Sequence, residues 1–301
     1  MKKSRLITLL SSLSPTEMRE FCDYVRSPFF NRNKNLISLI DLLRKLHPEF
    51  DGKDISDKAI SSKLFPVSDH DYFRIRNLTS DLLALCKDFL AQLYYRDESV
   101  FYPTYLLEKL REKDQHFLVE QSLKTFTREL ESAKAKDEFY LLRLSELSQQ
   151  KHFYSITRDP LGSHKLFQED FDNFLEYSLL RLLKFYCIMI HDKVQTNLDF
   201  DMKMFEQVLD YVKDSSKLKN PTLRIYSGIL KLLLDRKEAN FFSLKRLKEE
   251  NSFLLSREDR YMLDLYMSSF CADHFNTKAD NRFTREHFLI SKDQFERNEM
   301  T

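Results

Sequence analysis

Three groups of residues in this 301-residue sequence are of types that could hold a metal. Cys187 and His191 stand four apart, which brings two side chains to one face of a helix, and a thiolate with an imidazole can begin a zinc site. A structural zinc needs four ligands and a catalytic one three plus water, and no second pair with ligand spacing accompanies them. Phe185, Ile188 and Met189 surround the pair, which favours buried packing. Asp69-His70-Asp71 puts three possible ligands in a row, but it directly precedes a long helical pattern, where aspartate caps the helix and complements its dipole. His152 and His164 flank the break Asp159-Pro160-Leu161-Gly162 and could meet across it, with no carboxylate pattern beside them.

A second set of residues could read nucleic acid. A short helix over residues 56–65, the turn Pro66-Val67-Ser68-Asp69-His70 and a helix opening Tyr72-Phe73-Arg74-Ile75-Arg76-Asn77 have the layout of helix-turn-helix. Arg74, Arg76 and Asn77 are types that contact base edges from the front of a recognition helix, and Lys58 and Lys63 could hold phosphates. Against this, the turn exceeds the usual three or four residues, and Asp69, Asp71 and Asp81 would repel a phosphate backbone. The 48 basic and 47 acidic residues leave a net charge of +1, with no basic tail, so bulk charge favours neither nucleic acid nor an anionic membrane.

Other chemistry is hard to write into the chain. With three glycines, neither GxGxxG nor a Walker A loop can be formed, and HExxH and GxSxG are absent. Four scattered cysteines without CxxC spacing read as small buried hydrophobes in a reducing, cytoplasmic setting. Residues 1–10 imitate a signal peptide, but the apolar stretch is short and a strong helix start follows, so a first amphipathic helix is expected. No apolar run approaches a membrane span. The expectation is a non-enzymatic protein with no cofactor and no metal.

The elements behind these residues are helical throughout. Scarce glycine and proline deny a β protein its turns. Ser14-Pro15-Thr16-Glu17 is a capping box with proline at the first helical position, and Ser27-Pro28 ends that helix at Arg26. Phe29 and Phe30, just beyond, are expected to plug the core between helices. Apolar periodicity predicts further helices over 34–46, 71–95, 103–113, 115–134, 138–156, 165–196, 202–213, 221–235, 239–250, 257–275 and 282–297. The 165–196 helix is apolar over much of its circumference (Phe171, Phe174, Leu175, Leu179, Leu180, Leu183), which predicts burial on several sides and a central place.

The chain thus reads as all-α: antiparallel helix pairs, with an N-terminal helical module at 1–98 and an irregular α-solenoid or helical bundle at 99–301. Leu13-Ser14-Pro15 with Phe21, Ser27-Pro28-Phe29-Phe30-Asn31, Lys63-Leu64-Phe65-Pro66 and Arg74 through Leu83 resemble an uncharacterised bacterial family of all-helical proteins. The resemblance implies an N-terminal helical module followed by solenoid-like helices, and the family has no assigned activity. Stacked helices offer an extended surface for a protein or peptide partner, with Tyr140, Phe153, Tyr154, Phe241, Phe242, Tyr261 and Tyr266 as candidate groove residues. The favoured reading is a binding or scaffolding protein, and the alternative is a nucleic-acid binder acting through residues 56–96.

Overall fold

A computed structural model describes residues 4–51, 55–66, 72–97, 101–156, 158, 163–214, 217–278 and 281–297. Among these there are fourteen α-helices and no strand, and the helices pack on one another in an all-α fold. No described helix is long and apolar enough to cross a membrane. The chain divides into two compact units, Met1–Ser99 and Val100–Thr301.

The first unit holds α1 (Arg5–Ser11), α2 (Pro15–Arg26), α3 (Lys34–Arg44), α4 (Asp57–Leu64) and α5 (Tyr72–Asp97). Local chemistry sets their ends. The Glu17 N–H donates to Ser14 Oγ at 3.2 Å and the Ser14 N–H donates to Glu17 Oε2 at 2.7 Å, so the capping box closes in both directions. Hydrogen bonds from Ser14, the backbone one foremost, hold the Glu17 carboxyl below its ordinary pKa. Helices α1, α2 and α3 bring Leu6, Leu10, Phe21, Cys22, Leu39, Ile40 and Leu43 against Ile75, Leu82 and Cys86 of α5.

The α2–α3 turn departs from expectation. Phe29 is 87% exposed, and Phe30 lies flat on Tyr24 at the surface with ring centroids 4.0 Å apart. The plug is Asn31. Its buried amide donates to the Val25 and Asn33 carbonyls at 2.8 and 3.2 Å, and its Oδ1 accepts from the Asn33 N–H at 2.8 Å. Helix α2 runs straight to Arg26, so its last carbonyls need donors more than the turn needs apolar bulk. Asn31→Ala is expected to cost about 1–3 kcal/mol, read as a lower denaturant midpoint; an unchanged midpoint would show that water replaces the amide.

The second unit holds α6 (Tyr102–Glu112), α7 (His116–Glu131), α8 (Glu138–Ile156), α9 (Ser163–Thr196), α10 (Phe205–Lys213), α11 (Pro221–Asp235), α12 (Glu238–Asn251), a 3-10 turn (Ser252–Leu254), α13 (Arg257–Lys278) and α14 (Asn281–Glu296). Helices α8 and α9 are antiparallel, since Glu138 meets Arg181, Ser148 meets Asn173 and His152 meets Asp170. Helices α13 and α14 are antiparallel likewise, with Asp264 meeting Arg297 and Phe270 meeting Phe283.

The helix buried around most of its circumference is α11, and not the longer α9 that the sequence pattern favours. Leu223, Ile225, Tyr226, Ile229, Leu230 and Leu232 of α11 are all buried, and it packs on α9, α12 and α13. Gly228 lets α12 close in: a Cβ there would stand 3.0 Å from Leu244 Cδ1. Asn220 caps the helix through the Thr222 and Leu223 N–H groups, and its amide, with the Thr222 hydroxyl, donates to the Lys136 carbonyl ahead of α8.

Candidate docking surface

The nucleic-acid candidates are exposed but do not form one reading face. Lys58 and Lys63 project from α4, and Arg74, Arg76 and Asn77 from the start of α5. Ile75, Leu78, Leu82 and Cys86 fix the inward side of α5. At about 100° per residue, Arg74 and Asn77 lie on one flank of that stripe and Arg76 on the other. The Arg74 guanidinium is 3.6 Å from the centroid of the Phe65 ring, a cation–π contact that fastens α5 to the end of α4. Phe73, 71% exposed, opposes the buried stripe. Asp69-His70-Asp71 lies outside the described residues.

Cys187 faces the core, its thiol 3.8 Å from the Tyr226 carbonyl and its pKa raised by burial. His191 packs edge-on against Tyr266, with centroids 5.4 Å apart. His152 does have a carboxylate beside it, which the spacing concealed: its Nδ1 is 3.5 Å from Asp170 of α9. Burial raises the Asp170 pKa, and His152 pulls against that rise. No group of three or more His, Cys, Asp or Glu set to hold a metal occurs among the described residues.

Several aromatics have exchanged places with expectation. Tyr154, Phe241 and Tyr266, anticipated in a groove, are core residues, and Phe241 stacks on Phe270 and meets Phe283 edge-on. Phe171 and Phe174, anticipated in the core, are outside. They belong to a ridge along the outer side of α9: Phe167 (58% exposed), Phe171 (53%), Phe174 (57%), Phe185 (45%) and Ile188 (41%). Between them the same face carries the partly buried Ser178 and the exposed Arg181, whose guanidinium lies 5.4 Å from the Phe185 ring centroid. Positions 167, 171, 174, 178, 181, 185 and 188 alternate spacings of four and three. That is the a/d rhythm of a coiled-coil seam. The opposite side of the helix buries Leu179, Leu180, Leu183 and Cys187.

The ridge is held in place by polar contacts beneath it. Lys184 Nζ reaches Asp259 at 2.8 Å and Glu138 at 3.3 Å, and Arg181 pairs with Glu138 from the exposed side. Asp259, 1% exposed, also accepts from Tyr226 Oη at 2.9 Å and Ser256 Oγ at 2.8 Å. Burial opposes the Lys184 charge, but Asp259 and Glu138 outweigh it and raise its pKa, so the ammonium stays charged at neutral pH. Burial first, and Asp259 next, raise the Tyr226 pKa and keep its hydroxyl a donor. The network joins α8, α9, α11 and α13 around the middle of α9.

A cleft of about 350 Å³ lies among α12, α13 and α14, lined by Lys245, Lys248, Glu249, Glu286, Asp293 and Arg297 together with Ser252 and apolar residues. Its cations are all paired: Lys245 with Glu286 at 2.7 Å, and Lys248 and Arg297 both with Asp264 and Asp293. It reads as the seam that fastens α14.

Comparison with family models, curated proteins and solved structures finds no match to this chain.

Proposed function

We propose that this chain is a non-enzymatic binding or scaffolding protein whose helical surface grips a protein or peptide partner. The observation that supports the reading is the α9 ridge: four phenylalanines and an isoleucine, exposed at seam spacing on one helix of 34 residues. Scattered exposed apolar residues are ordinary, whereas aromatic residues aligned on one helix face, here interrupted by Ser178 and Arg181, mark an interaction site. The helix beneath is held by its buried face and by the Lys184 network, so little ordering is left for binding to supply. Membership of the bacterial helical family, a helical-repeat organisation of the second unit and a cytoplasmic site of action belong to the same proposal. Contact between nucleic acid and Lys58, Lys63, Arg74, Arg76 or Asn77 is the weaker reading, because Arg74 is already stacked on Phe65 and Arg76 leaves the other flank.

The test is a photo-crosslinking residue placed in the full chain at position 171 or 174, with position 169, exposed on another side of α9, as control. Discrete protein adducts at 171 and 174 and none at 169 are expected. Adducts equally strong at 169, or none at 171 and 174, would remove the ridge as the docking surface.

A further inference from the structure

We infer that the α9 ridge is a self-association seam, on which a second copy of this chain docks its own α9 antiparallel to the first. The inference rests on the docking role proposed for the ridge and names its occupant. Three features of the ridge single out a second copy.

The first is size matching. In an antiparallel coiled coil, a positions of one helix face d positions of the other. With the two-fold axis on the ridge at the level of position 176, Phe174 faces Ser178 of the second copy, Phe171 faces its Arg181, Phe167 faces its Phe185, and Ile188 faces its exposed His164 just outside the ridge. The phenylalanine layers are then filled: a large ring against a small hydroxyl, a ring against a guanidinium, a ring against a ring. The ridge is complementary to itself under a two-fold operation, as an isologous interface must be.

The second is charge. Parallel pairing in register would set Arg181 against Arg181 in the middle of an apolar seam, a like-charge contact in a desolvated place. Antiparallel pairing separates the two guanidinium groups by ten residues of helix, roughly 15 Å. Each is offered an aromatic face, the kind of contact Arg181 already makes with Phe185.

The third is area. A phenylalanine side chain presents roughly 150–250 Å², so residues about half exposed bring roughly 100 Å² each. The five apolar ridge residues then bury roughly 900–1,000 Å² over both copies, below the roughly 1,200 Å² at which stable specific interfaces begin. That amount fits a reversible dimer, not an obligate one.

The experiment is sedimentation equilibrium of the full chain from about 1 to 200 µM, beside Phe171→Ser/Phe174→Ser and Phe167→Asp. The wild type is expected to pass from monomer mass towards dimer mass across that range, and each variant to weaken the association at least tenfold. Circular dichroism at monomer concentrations should keep its helical signal, because the substituted side chains are more than half exposed and lie outside the buried core. If one variant loses helix content, the other decides. A wild type that stays monomeric at 200 µM, or a dimer that persists in a folded variant, overturns the seam. Monomeric wild-type protein that still yields adducts with other proteins at positions 171 and 174 would sink self-association alone and leave the docking role standing. A monomer without adducts would sink both.

Discussion

Asp264→Ala should be the most damaging single substitution in the second unit, lowering its stability by about 3–5 kcal/mol. Asp264 on α13 is fully buried and each oxygen is committed: Oδ1 takes Lys248 Nζ from α12 at 2.6 Å, and Oδ2 takes the Arg297 guanidinium from the end of α14 at 2.6 Å. Removing the carboxylate leaves two largely buried cations sharing Asp293. The loss is therefore the cost of unpaired charge rather than the worth of a bond. Asp264→Asn keeps the shape and acceptor but not the charge, and should lie between alanine and wild type. Denaturant unfolding followed by circular dichroism checks the order; a loss below about 1 kcal/mol would mean that Lys248 and Arg297 swing out to solvent.

The same cluster sets a pH limit. Burial works to raise the Asp293 pKa, but hydrogen bonds and charge from Lys248 and Arg297 outweigh it, so the folded value lies below the ordinary one. A carboxylate depressed in the folded state stabilises above its unfolded pKa of about 4 and loses that contribution as pH falls towards the folded value. The attachment of α14 should accordingly weaken below about pH 4.

Much of this was legible in the residues, and the failures share a cause. Caps and breakers act within a few positions, so Ser14, Pro15 and Pro28 marked the limits of α2 well. Helix α13 instead runs to Lys278, three residues beyond the 257–275 that periodicity predicts, because no proline or glycine stands there to stop it. Periodicity showed that α9 is apolar on two sides, but one chain cannot say which sides its neighbours cover. Leu179, Leu183 and Cys187 are met by α11, while among the described residues Phe171 and Phe174 stay about half exposed and Phe167 meets the His152 ring. The four-and-three spacing of the ridge was visible, but it was masked by the equally apolar inner face. Buried polar partners were out of reach for another reason. Asp259 lies 75 residues from Lys184 and 33 from Tyr226, and no local pattern distinguishes it from a first-turn aspartate favoured by the helix dipole.

Asp259 therefore carries the second large effect, expected at about 3 kcal/mol for Asp259→Ala. Three losses combine: the Ser256–Asp259 contacts at the start of α13, the acceptor for the buried Tyr226 hydroxyl, and the nearer counter-ion of Lys184. Lys184 retains Glu138 at 3.3 Å, which is why the expected loss is smaller than at Asp264, where two cations are stranded together. Glu138 must then serve both Lys184 and Arg181, so the two losses should be non-additive. Asp259→Ala combined with Glu138→Gln should cost more than the sum of the singles, by about 1 kcal/mol or more. Because Lys184 lies beneath the ridge, amide hydrogen exchange in residues 180–187 should accelerate in the same variants before the rest of the unit opens. Additive losses with no local exchange response would mean that Lys184 finds its counter-charge in solvent, and that packing against α11 alone holds the middle of α9.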